Sequence, residues 1–146
     1  MDRMMILGIS IMIASGGVLT FYLNHKLGKG PVFASAIVAF FSGIIFPYLF
    51  GDWGLTMAAA ITAGSYAGMS EKDRIQNYVD MLVVSVFLSI LYIISKDVFV
   101  GIGGKLGTIA CISVISVYGM KVFPEMIVNK GDNKLRDLNT NNRRGR

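Results

Sequence analysis

Residues 6–24 carry no charged side chain, and neither do residues 30–51. Each run is about as long as a helix needs to cross a bilayer's hydrocarbon core, about 20 residues at 1.5 Å rise. More apolar stretches follow. The sequence therefore predicts an all-α membrane protein, a polytopic bundle of about five transmembrane helices. Charged residues make up 16% of the chain, against about 25% in soluble domains. They are missing in blocks, which a bilayer requires. A soluble bundle would instead alternate polar and apolar faces within each helix. Here Ile44-Ile45-Phe46 and Leu82-Val83-Val84 are apolar all round. The 146 residues suffice for one compact unit.

The expected spans are residues 4–22, 31–50, 54–69, 78–95 and 106–123. The first exceeds the roughly 7–15 apolar residues of a signal peptide, so it is read as a retained helix. A polar loop follows at 24–30, and Pro31 suits the first turn of the second span. Pro47 is expected to bend or end that span. Tyr48, Phe50 and Trp53 surround a tight turn and resemble an interfacial aromatic belt. The third span is rich in Ala and Gly, so its insertion energy is modest. It crosses as a hairpin with the second, or it re-enters, which leaves four crossings. Ser70 and Asp73 have the spacing of a helix start. Gly101, Gly103 and Gly104 mark a flexible turn, and Lys105 is expected to snorkel to the interface. The segment 129–146 is polar and basic and is expected to be a disordered tail.

Charge sets the expected orientation. With five crossings, Lys26, Lys29, Lys72, Arg74, Lys121, Lys130, Lys134, Arg136, Arg143, Arg144 and Arg146 share one side. Arg3, Lys96 and Lys105 share the other, a split of 11 to 3. The positive-inside rule then places the C-terminus in the cytoplasm and the N-terminus outside, in the cytoplasmic (inner) cell membrane. Four crossings give 10 to 4 with both termini inside. Either way the tail is cytoplasmic, where it could meet anionic lipid or a protein partner.

Small residues recur at helical spacing. Ala60, Gly64 and Gly68 form one stripe, with Thr56 in line. Ser35, Ala39 and Gly43 form a second, and Ser10, Ala14 and Gly17 a third. Such stripes let backbones approach where no hydrophobic effect operates between helices. They predict packing within the bundle, or a self-association face of a homo-oligomer. Residues 56–69 can also be laid on 108–120 with one gap, a faint internal repeat of the kind found in transporters.

Polar groups within the spans are few. Asp80 is the acid placed inside a span, near its cytoplasmic end. It is expected to sit at the interface or to pair with Lys72 or Arg74. Thr56, Thr62, Ser65, Ser113 and Ser116 carry hydroxyls that could line a polar path or bond to the preceding helical turn. No constellation points to an enzyme, a metal or a cofactor: His25 and Cys111 are the only residues of their kinds. The net charge of +5 reflects the tail, since seven of the 14 Lys and Arg residues lie at or after Lys121. That pattern does not suggest a nucleic-acid partner. The leading expectation is a small channel or transporter-like protein, possible as an oligomer. The alternative is a non-transport accessory, immunity or holin-like protein. A polar cavity through the bundle would favour the first, and a solid bundle the second.

Overall fold

The computed structural model describes residues 3–28, 30–71, 73–95, 98 and 104–144. Among these there are five helices and no strands: α1 (Arg3–Leu27), α2 (Pro31–Phe50), α3 (Asp52–Ala67), α4 (Tyr78–Ile94) and α5 (Lys105–Arg144). Three stretches, Arg3–Lys26, Pro31–Phe50 and Lys105–Pro124, are long and apolar enough to cross a membrane. α4 has 17 residues and α3 has 16, about 25 Å each at helical rise. The outer faces of α2 and α4 are apolar. Phe40, Phe41, Ile44, Val86 and Ile90 are exposed, an arrangement that water would penalise and lipid would not.

α3 is the centre of the bundle and touches all four other helices. Its composition explains this. Ala60, Ala63, Gly64, Ser65, Ala67 and Gly68 are buried, and none has a side chain long enough to hold a neighbour away. A helix of bulky residues could not occupy this position at the same spacing. Around it, Ile9, Ile13, Met81, Val84, Leu88, Ile109 and Val114 fill the core. α3 is one continuous helix that lies along α1.

The chain directions alternate. Gly16 faces Ile61 and Gly68 faces Gly17 and Phe21, so α1 and α3 run parallel. Gly54 lies against Phe46, and Ser35 meets Ser65, so α2 returns antiparallel to α3. Lys105 lies by Ser95 and Lys121 by Asp80, so α5 is antiparallel to α4. The turn from α2 to α3 is a single residue, Gly51, at φ 57°. That left-handed conformation favours glycine. A Cβ on Gly54 would stand 2.1 Å from the Phe46 carbonyl oxygen, so the tight turn needs both glycines.

Several boundaries differ from expectation. α1 continues to Leu27 because His25 Nδ1 donates to the Phe21 carbonyl at 2.6 Å and Lys26 Nζ to the Tyr22 hydroxyl at 2.6 Å. These polar side chains fold back on the preceding turn and let the helix outlast its apolar run. Pro47 and Pro124 both lie inside helices. Ser70 does not start α4: its hydroxyl donates to the Ala67 carbonyl at 2.7 Å. The helix begins instead after Asn77, whose N–H donates to Asp80 Oδ2 at 3.3 Å. Burial of Ile75 folds the intervening segment back on the bundle and delays the helix.

The backbone of α5 stays helical to Arg144, where a disordered tail from 129 was expected. Extending an existing helix avoids the nucleation cost, and Lys130, Lys134, Leu135, Arg136 and Leu138 have good helix propensity. Gly101, Gly103, Lys72 and Lys96, on which sequence expectations were placed, lie outside the described residues.

Candidate functional site

Two features stand out from apolar packing: an ion pair between α4 and α5, and a groove between α3 and α5. Asp80 sits in the first turn of α4, where a carboxylate complements the helix dipole. Its Oδ2 accepts from Lys121 Nζ. The Asp80 side chain is 11% exposed and that of Lys121 42%, so the pair lies at the rim of the buried region. Arg74 makes no ion pair among the described residues, and Lys72 is outside them. The missed residue was Lys121, read from the sequence only as a topogenic charge. The available signal was a cation lying inside the expected apolar span 106–123.

At the other end of the same helix pair, Lys105 Nζ donates to the Ser95 carbonyl. That contact satisfies one of the carbonyls a helix leaves open at its C-terminus. Lys105 therefore fastens the start of α5 to the end of α4.

The hydroxyls do not converge. Thr62, Ser113 and Ser116 each donate to the carbonyl four residues earlier, at 2.8 Å. Ser65 donates to Thr62 at 2.8 Å and lies 3.0 Å from Ser35 Oγ. Since the Ser65 proton is committed, Ser35 is the donor between the two. The half-buried Thr56 contributes its carbonyl, which accepts from Tyr92 at 3.4 Å. Thr20 Oγ1 is buried with no hydrogen-bond partner among the described residues.

The packing stripes divide. Gly64 and Gly68 lie against α1, and Ala60 is buried. On α2 the phase is different: Ala34, Ser35, Val38 and Ser42 are buried. Ala39 is half-buried, and Gly43 is exposed with nothing within 4 Å of an added Cβ. Small size cannot specify a face when the whole helix is apolar. The residues paired by the faint repeat also differ in setting. Gly68 is packed against α1, whereas Gly119 is exposed and open.

The groove between α3 and α5 holds about 600 Å³ and is bordered by Tyr66, Arg74, Leu106, Ala110, Cys111 and Ile115. Smaller clefts lie between α1 and α4, about 250 Å³, and among α1, α2 and α3, about 320 Å³. All three run between neighbouring helices. No group of His, Cys, Asp and Glu that could hold a metal occurs among the described residues. No protein family, curated protein or solved structure matches the chain.

Proposed function

We propose that this is a non-transport, multi-pass protein of the cytoplasmic membrane, acting through contacts with lipid and partner proteins. The observation that carries this reading is the position of α3. It occupies the axis along which a single bundle would have to conduct, and its glycines leave no space for even a methyl group against α1. The hydroxyls that could wet a path are turned onto their own backbones. Purified protein in liposomes loaded with potassium ions or a small anionic dye is expected to release neither faster than protein-free liposomes. Release scaling with protein content would overturn the proposal and restore the channel reading, with a path assembled between copies.

We also infer an external N-terminus and a cytoplasmic C-terminus. The alternating helix directions support five crossings, and the 11-to-3 charge split supports that orientation. Compartment-specific reporters on the two ends should report opposite sides. A cytoplasmic N-terminus would reject five crossings.

A further inference from the structure

We propose that the seam between α4 and α5 is built for a thin bilayer and gathers phospholipids with short acyl chains. This rests on the membrane reading and the five crossings above. Two rulers carry it, one on each helix. On α4 the polar contacts that close the seam are the Asp80 carboxylate and the Ser95 carbonyl, about 22 Å apart at helical rise. On α5 their partners are Lys121 and Lys105, about 24 Å apart. Both lengths fall short of the ~30 Å hydrocarbon core of a typical bilayer.

The protein has little means of making up the difference. Tilting a helix shortens its reach across the membrane, so tilt serves only helices that are too long. α4 is fixed at both ends. Asn77 and Asp80 form a capping box at its start, and the carbonyl of its C-cap, Ser95, is taken by Lys105. A lysine near a helix end ordinarily hides a mismatch by reaching out to the headgroups. Here both ammonium groups are turned onto α4 instead. The remaining response is a thinner lipid layer.

The lipid-facing surface agrees with the rulers. Val79, Leu82, Val83, Val86, Ile90 and Ile94 of α4 are exposed, and Val79 to Ile94 spans about 22 Å. The step is local. α2 is exposed and apolar from Val32 to Phe50, about 27 Å. On α5, Phe123 is exposed beyond Lys121, about half a turn round the helix from it. Shorter chains are therefore needed at the α4–α5 seam and not round the whole bundle.

Unfolding of the full chain in bilayers of dimyristoleoyl, dioleoyl and dierucoyl phosphatidylcholine tests this, with one headgroup and successively longer chains. The slowest unfolding is expected in the dimyristoleoyl bilayer, about tenfold slower than in the dierucoyl one, because small mismatch costs per ångström accumulate. Native mass spectrometry with those two lipids in equal amounts should find the short-chain lipid enriched on the protein. Asp80→Asn combined with Lys121→Met removes the charges that mark the cytoplasmic end, and should move the optimum to the dioleoyl bilayer. Slowest unfolding of the wild type in a longer-chain bilayer, a rate independent of chain length, equal lipid retention, or an unchanged optimum in the double variant would each overturn the proposal. Resistance of the protein to carbonate extraction from membranes is read in parallel. Extractable protein would reject the membrane reading itself, whereas resistant protein without a chain-length preference rejects only the thin seam.

Discussion

Replacing Gly64 with leucine should push α1 away from α3 and abolish most of the folded population in detergent. Even alanine should be poorly tolerated. A Cβ at this position would lie 2.1 Å from the Ile13 carbonyl oxygen and 3.0 Å from the Gly17 backbone nitrogen. Those are backbone atoms, and they cannot rotate aside as a side chain can. Overpacking a core costs typically about 1–3 kcal/mol. A collision of two helix backbones along the central contact should reach or exceed the upper end of that range. Gly43 and Gly119 provide the internal comparison, because nothing lies within 4 Å of a Cβ at either. Gly43→Leu and Gly119→Leu should remain as stable as wild type. The measurement is the fraction that stays monodisperse and helical through a thermal ramp. Normal folding of Gly64→Leu would show that α1 and α3 do not meet there.

Lys121→Met should destabilise the protein by about 1–3 kcal/mol. An exposed ion pair contributes about 0–1 kcal/mol, and breaking a buried one costs about 3–5. This pair lies between those limits, with one partner largely covered and the other partly open. The cost arises mainly from stranding Asp80, whose carboxylate then keeps only backbone N–H groups of Asn77 and Gln76 and no cation among the described residues. Asp80→Asn combined with Lys121→Met should therefore recover part of the loss, since no charge is left stranded. Chemical unfolding of the two single variants and the double variant gives the coupling directly. Strict additivity of the two single effects would mean that the side chains act independently. The ion-pair contact would then contribute nothing to holding α4 on α5.

Much of this organisation was readable from residue order. The charge-free runs determine that apolar helices dominate. Helix length follows from run length because a bilayer and an α-helix each have a fixed scale. Pro31 at the first turn of α2 and the Gly51–Gly54 turn follow from local backbone chemistry. So do the hydroxyls that bond to their own preceding turns, which need no information from a neighbouring helix. The stripe of Ala60, Gly64 and Gly68 was legible because an Ala- and Gly-rich helix is suited to close approach.

The pairing of helices was a matter for the tertiary structure alone. α3 looked weakest by hydropathy, yet it lies at the centre, because position in a membrane bundle depends on how closely backbones can approach. On α2 every face is apolar, so the sequence held no signal to distinguish the buried Ser35 and Ser42 from the exposed Gly43. Asp80 could be placed near the cytoplasmic end of a span from its position in the sequence, though not in the capping turn that begins at Asn77. Its partner lies 41 residues away, and only the packing of α4 against α5 brings Lys121 to it. Arg74 shows the same division: its charge is local, while the groove it borders exists only once α3 and α5 are side by side.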